Sequence, residues 1–330
     1  SSIYQMILRN FTPEGTIKSA ESELPFLAEL GFDIIYLCPI FEADDDMNEE
    51  FWSDRQKACG FKNAKNPYRI KNYFKIDDEY GTAEDLKSFI KTAHSLKMRV
   101  ILDLVYLHCG PMSVLTVDFP DYVEKDKDGN ILNADWHFPK INYKSDALRE
   151  YMWSNMEYYI NDFDADGYRC DVGDEVPLEF WHEGIKRIKK IKPDIIMLNE
   201  GYNMAYLTDD FDCNYGFFSY NYIENAPKIH NGKFTALELK EKLDENLEKL
   251  PENALEIHFV ENHDTATNDA ASGSSLEKKI TENGVYASLA FMYFSAGVPF
   301  VYNGYEIANK APHSLFANRF HGKLASDWSV

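Results

Sequence analysis

The sequence predicts an α/β protein built as a (β/α)8 TIM barrel. Three observations predict it. Short, continuous apolar runs recur eight times along the chain, longer amphipathic stretches separate them, and the runs lack the in/out alternation of a sheet with one wet face. Continuous apolar runs suit strands buried on both faces, and helix-length connections are what parallel neighbours need. The strands are expected over Ile3–Arg9, Asp33–Ile40, Arg99–Val105, Gly167–Val172, Asp194–Asn199, Asn214–Ser219, Glu256–Glu261 and Val298–Tyr302. Helices are expected over Ser19–Leu30, Ala83–Leu96, Asp146–Asp162, Leu178–Lys190, Ala236–Lys249 and Ser275–Phe294. Thr82 before Ala83-Glu84-Asp85 reads as a helix start, because its hydroxyl can cap and the acids suit the positive helix end.

Composition agrees with one large folded unit. The 330 residues are 45% hydrophobic and 15% aromatic, too apolar for a disordered chain. At roughly 150 residues per domain the prior is two domains, but α/β barrels often exceed that as one. The net charge is −21, from 34 Lys and Arg against 55 Asp and Glu. A field of that sign disfavours nucleic acid and anionic membrane surfaces as partners. A neutral ligand fits better, and the aromatic content suits sugars, whose apolar ring faces stack on aromatic rings.

Five cysteines (Cys38, Cys59, Cys109, Cys170, Cys213) are odd in number, widely spaced and without a CxxC pair. They read as reduced, mostly buried thiols rather than a disulfide framework or a zinc site. Unpaired thiols lean toward a cytoplasmic setting, while a start at Ser1 is also what a removed leader leaves, so the compartment stays open. Val285 to Tyr302 approaches the ~18–20 apolar residues that span a bilayer. Gly297 and Pro299 interrupt it and no basic flank anchors it, so a buried helix (Gly284 to Phe294) followed by a buried strand is expected instead.

Two connections exceed ordinary barrel loops. Phe41 to Pro67 carries an acidic patch (Glu42, Asp44, Asp45, Asp46, Glu49, Glu50), read as solvated surface. His108 to Tyr143 carries Asp126-Lys127-Asp128-Gly129-Asn130, a hairpin turn, followed by Trp136 and His137. The expected division is therefore a barrel of residues 1–107 and 144–330 with a small inserted region, 108–143. Long loops at the C-terminal strand ends build substrate clefts. Only Gly304 to Val330 follows the last strand, so the closing helix is expected to be irregular or cut short.

Four short stretches fall at or just beyond strand ends: Asp103-Leu104-Val105-Tyr106-Leu107-His108, Gly167-Tyr168-Arg169-Cys170-Asp171, Leu198-Asn199-Glu200 and Phe259-Val260-Glu261-Asn262-His263-Asp264. Arg169 and Asp171 lie two apart on a strand, so their side chains share one side. A neighbouring guanidinium favours the carboxylate, which suits a nucleophile that must stay ionised. Glu200 ends the next strand with no basic neighbour in sequence, which suits a group that holds a proton as general acid. Retaining glycosidases need two carboxyls about 5 Å apart, a separation adjacent barrel strands can supply.

The four stretches, in order and spacing, resemble the motifs of the α-amylase family (glycoside hydrolase family 13). Pro67-Tyr68, Tyr73-Phe74-Lys75-Ile76-Asp77 and Tyr80-Gly81-Thr82 add to the resemblance, which covers nearly the whole chain. It implies a retaining hydrolase or transglycosidase acting on α-glucosidic bonds of oligosaccharides or polysaccharides. By the same resemblance Asp171 is the nucleophile, Glu200 the acid/base and Asp264 the transition-state stabiliser. Arg169, His108 and His263 are then contacts to the sugar ring, and Tyr68 the aromatic that stacks on it. Whether water or a second sugar accepts the glycosyl unit stays open, as do linkage and oligomeric state.

The departures carry information too. The family's first motif usually ends Asn-His, and that Asn commonly binds calcium; here Leu107 stands there, without an oxygen ligand for a hard cation. No cofactor and no metal site is expected, with calcium dependence left open. Asp174-Glu175 occupy positions where α-amylases often carry Lys-His on the aglycone side, which points to short gluco-oligosaccharides over starch. Asp162, Asp164 and Asp166 open like an EF-hand loop, but the twelfth position is Gly173, so calcium is not expected there. Two rivals lose on residues. A dead amylase-like binding protein would lack the carboxylates, and a metal-dependent barrel isomerase would need a His/Asp/Glu cluster.

Overall fold

The computed structural model describes residues 1–208, 210–265, 276–307 and 313–320. Eight parallel strands close into a barrel: β1 (Ile3–Met6), β2 (Ile34–Leu37), β3 (Arg99–Leu104), β4 (Gly167–Cys170), β5 (Ile196–Asn199), β6 (Cys213–Tyr215), β7 (Leu255–His258) and β8 (Val298–Tyr302). Neighbours in the barrel are neighbours in sequence. The ring closes where Ile3 pairs with Phe300 on one side and Ile34 on the other. Alternate residues point inward. Ile3, Tyr36, Ile101, Leu198, Tyr215, Ile257 and Phe300 fill the barrel, while Tyr4, Ile35, Val100, Leu102 and Met197 pack under the helices. Both faces are dry, which is why the strands read as unbroken apolar runs.

Most helices fall where expected: Ala83–Ser95, Asp146–Phe163, Leu178–Ile191 and Ala236–Leu247. Thr82 caps as predicted, accepting from the Asp85 amide at 3.2 Å while Asp85 reaches back to Thr82 N at 2.8 Å. The helix expected over Ser19–Leu30 is instead two short ones, Ile17–Glu21 and Leu24–Glu29, the second starting with Pro25 in its first turn. The first strand ends at Met6, and Leu8–Phe11 turns helical.

Other expectations fail for tertiary reasons. The sixth strand stops at Tyr215. Phe218–Tyr222 and Ile223–His230 are helical because Phe218 and Tyr222 both turn onto Phe291 of the helix Leu276–Phe294, at 5.3 Å each. The acidic loop after β2 is not merely solvated. Phe41–Ala43 pairs antiparallel with a strand Ile70–Ile76, where Lys75 meets Glu42 and Lys71 meets Asp45, both at 2.9 Å. Asp44 is buried and accepts from Asp46 N and Met112 N. The helix Leu276–Phe294 is not buried: Phe294 is 92% exposed and Tyr286 52%. Among the described residues no helix is long and apolar enough to cross a membrane. The closing segment of the barrel falls largely on residues outside the described ones.

The long segment after β3 folds over the barrel mouth. His108 bridges Lys140, Val123 bridges Ile141 and Lys125 bridges Ile131, all antiparallel. The turn at Asp126 forms as predicted, with Asp126 N donating to Asn130 O at 2.9 Å and Gly129 at positive φ. All five cysteines are free thiols, four of them buried.

Candidate active site

The site is assembled at the C-terminal end of the barrel around one buried arginine. Asp103 and Arg169 face each other across β3 and β4 in register. Arg169 Nη1 donates to Asp103 at 2.9 Å and to Asp171 Oδ1 at 2.8 Å, and its Nη2 lies 2.7 Å from Glu200 Oε1. One cation thus serves three carboxylates. The left-handed backbone at Val172 (φ 45), rare for a β-branched residue, aims its N–H at Glu200 Oε2, 2.7 Å away.

This geometry changes the electrostatic expectation. Burial pushes the Asp171 carboxyl well above its ordinary range; Arg169 pulls it down, while the nearby Glu200 and Asp103 carboxylates push it up. Burial raises Glu200 as well, against the pull of Arg169. Glu200 is therefore not without a basic partner, as its sequence neighbours implied. The two acids bracket one guanidinium and titrate as a unit.

The next layer is a chain of hydrogen bonds from β1 to β3. His263 N–H donates to Gln5 Oε1 at 3.3 Å, which orients the Gln5 amide so that its Nε2 donates to His263 Nδ1 at 2.7 Å. His263 Nε2 then carries the hydrogen and donates to Tyr68 Oη at 2.8 Å, and Tyr68 donates to Asp103 at 3.1 Å. Tyr36 adds a second phenol to Asp103 at 2.5 Å. Burial lowers His263 to about 4 and His108 to about 3, so both rings are neutral at pH 7. His108 Nε2 lies 3.9 Å from Asp171 Oδ2, and its ring is held edge-on by Phe138 and Trp136.

Above these groups lies a cavity of about 400 Å³, reached by Tyr68, His108, Asp171, Glu200, His263 and Asp264. One wall is Trp136–Phe138, another Ser53–Arg55, and Phe316 closes a third side. A family profile described as "Alpha amylase, catalytic domain" matches residues 9–138 and 131–323. The chain belongs to this family. Its relatives include a cyclomaltodextrinase of Geobacillus thermopakistaniensis, 27% identical over 89% of this chain and 49% of that protein. A maltogenic alpha-amylase of Bacillus acidopullulyticus matches to the same extent. The chain therefore spans about half the length of these relatives. Among solved structures, an alpha-amylase from Lactobacillus plantarum is 29% identical, with a TM-score of 0.83 over 96% of this chain and 74% of that one. A maltogenic alpha-amylase from Thermotoga neapolitana is 28% identical with a TM-score of 0.81, covering 96% and 70%.

Against the α-amylase family pattern, the structure brings all seven expected residues (Tyr68, His108, Arg169, Asp171, Glu200, His263, Asp264) to one cavity or its floor. Sequence reasoning passed over Gln5, Tyr36, Asp103 and Arg55. Asp103 stood in the first quoted motif, and its inward parity with Arg169 was the available signal. Asp174, one of the two acids expected on the aglycone side, is engaged by the protein itself. Asp174 Oδ1 takes Asn199 Nδ2 at 2.8 Å, and its Oδ2 takes the amides of Tyr202 and Asn203 at 2.9 and 3.0 Å. It latches the turn after Glu200. Beyond that latch, Tyr202 and Tyr220 form an exposed aromatic pair with centroids 4.6 Å apart.

Leu107 is buried in the apolar core, so the position that would carry the family's calcium ligand holds no oxygen. No group of three or more His, Cys, Asp or Glu suited to a metal occurs among the described residues. The EF-hand-like acids are spent otherwise. Asp164 ends a helix in left-handed conformation, and Asp166 accepts from Val100 N and pairs with Lys192 at 2.7 Å.

Proposed function

We propose that the chain carries a retaining glycosidase site for α-glucosidic bonds, with Asp171 as nucleophile, Glu200 as acid/base and Asp264 as stabiliser of the oxocarbenium-like transition state. The observation that carries this reading is the single guanidinium of Arg169, against which Asp171 and Glu200 lie side by side. That pairing supports the close spacing of retaining enzymes, about 5–5.5 Å, over the wider inverting class. Two carboxyls that share one buried cation favour keeping one proton between them, as a nucleophile and a general acid require. In the first step the Asp171 carboxylate bonds the anomeric carbon while Glu200 protonates the departing oxygen. In the second, Glu200 takes a proton from the acceptor, which attacks and frees Asp171. His108, His263 and Tyr68 contact the glucosyl ring, and residues 108–143 act as an inserted wall of the cleft.

The relatives named cyclomaltodextrinase and maltogenic amylase, together with the walled cavity, support short α-gluco-oligosaccharides as substrates. The exposed Tyr202–Tyr220 pair beside Glu200 offers a stacking surface for a sugar acceptor, which favours transfer alongside hydrolysis. The test is Asp171→Asn, assayed on maltotriose. Turnover should fall to under about one-thousandth, because an amide cannot form the ester intermediate, while maltotriose binding by calorimetry persists. Retention of a tenth of the wild-type rate would overturn the assignment. A kcat/KM higher on soluble starch than on maltotriose, matched per cleavable bond, would overturn the chain-length reading.

A further inference from the structure

We propose that Arg55 is a positioning residue for this site, gripping Asp264 and the turn that bears it so that the third carboxylate stays over the cavity. The inference rests on the role proposed for Asp264. Arg55 Nη1 donates to Asp264 Oδ1 at 2.8 Å, and Nη2 donates to the His263 carbonyl at 2.9 Å. A planar fork that holds a carboxylate and the preceding backbone oxygen together fixes orientation as well as charge, which a lysine cannot reproduce.

Arg55 is itself anchored. It sits in the short helix Asp54–Ala58, capped by Ser53, which accepts from Gln56 N at 3.1 Å. Gln56 Nε2 ties that helix to the carbonyls of Asn63 and Ala64 at 2.9 and 3.1 Å. The guanidinium lies over Phe316, 6.0 Å from the ring centre, with its side chain only 20% exposed. In sequence, Arg55 and Lys57 are the only basic residues between Phe41 and Phe61, a stretch otherwise rich in acids. Lys57 stays outside near Asp54; Arg55 turns inward.

The charges that face Asp264 decide what Arg55 contributes. Among the described residues these are His263 on the same turn, Arg55 from the loop after β2, Arg169 from β4 and Glu200 from β5. His263 is neutral above about pH 4, so at neutral pH it does not hold Asp264 ionised. Arg169 is already shared among Asp103, Asp171 and Glu200. Among the described residues, Arg55 is the cation in direct contact with Asp264. A stabiliser whose interaction strengthens only in the transition state acts on kcat, and a misplacement of about 1 Å can cost about 100-fold.

The experiment compares Arg55→Met and Arg55→Lys with wild type for kcat and KM on maltotriose across pH 4–8, with thermal melts to confirm folding. Arg55→Met should lower kcat by about 10- to 100-fold with KM little changed. With the cation gone the Asp264 carboxyl protonates more readily, so its own titration should move to higher pH. Arg55→Lys should return that titration toward wild type and recover only part of kcat. A variant that raises KM alone would overturn the proposal. The Asp264 carboxyl titration, followed by carbon-13 NMR, reads the same contact without turnover. If it does not rise in Arg55→Met, or in the equally neutral Arg55→Gln should the methionine variant fail to fold, Arg55 does not hold Asp264. Wild-type inactivity on every α-glucoside would refute the proposed function and leave that titration standing.

Discussion

Gln5→Met tests the hydrogen-bond chain that closes the barrel at its active end. Gln5 on β1 and His263 beyond β7 are 258 positions apart in sequence, and their two contacts define which His263 nitrogen carries the hydrogen. Methionine keeps the length of the side chain and removes both partners. It leaves His263 Nδ1 and the His263 amide without partners in a residue that is 2% exposed. A buried polar group stripped of its partner costs about 1–3 kcal/mol, so two cost about 2–6 kcal/mol. Against a domain stability of about 5–15 kcal/mol, that is a large share. The loss is read from the urea midpoint at constant m-value. The tautomer is read from long-range proton–nitrogen correlation of the imidazole. Wild type should show the hydrogen on Nε2 alone, and Gln5→Met a smaller share of that tautomer, since Tyr68 then selects it without Gln5. A wild-type ring protonated on Nδ1, or a variant within about 0.5 kcal/mol of wild type, would refute the reasoning.

Asp174→Ala should destabilise the protein by about 2 kcal/mol and lower kcat, because it frees the amides of Tyr202 and Asn203 that hold the turn after Glu200; urea melts and maltotriose kinetics check both. EDTA should leave activity and Tm unchanged, since Leu107 supplies no oxygen ligand; a calcium-reversible drop in Tm would sink that expectation. Gly167→Ala should cost more than about 3 kcal/mol or prevent folding, because a Cβ there would lie 1.9 Å from the Ile196 carbonyl oxygen at a φ of 148°. Soluble yield and urea unfolding measure it. Acid should weaken the fold through its histidines. Burial holds His108 at about 3 and His258, His263 and His313 at about 4, below their ordinary values, so the unfolded chain binds more protons. Their contribution to stability is present above about pH 6.5 and falls away as the pH drops toward about 4; Tm measured from pH 7 to 4 reports it.

The barrel was legible because both faces of each strand are buried, so apolar runs such as Arg99–Leu104 and Val298–Tyr302 need no tertiary knowledge to be seen. The motif residues at strand ends were legible for a related reason, since parity along a strand puts Arg169 and Asp171 on one side. What stayed hidden depended on which elements meet. Phe218–Tyr222 is as aromatic as a strand, and only the neighbouring helix with Phe291 makes it helical. Phe41–Ala43 became a strand because Ile70–Ile76 lies beside it, across a connection whose path no local signal gives.

The sequence by itself determined an acidic α/β barrel with three carboxylates, an arginine and two histidines at its open end. It could not determine their protonation. Arg169 sits two residues from Asp171 in sequence, but β3 and β5 bring Asp103 and Glu200 to the same cation, and burial then raises both site acids. Nor could it show that Asp174 faces a backbone turn rather than a sugar, or that Arg55, from a loop over 200 residues away, reaches Asp264. Hydrogen bonds and ion-pair contacts form only within about 4 Å, and only the folded chain decides which groups stand that close.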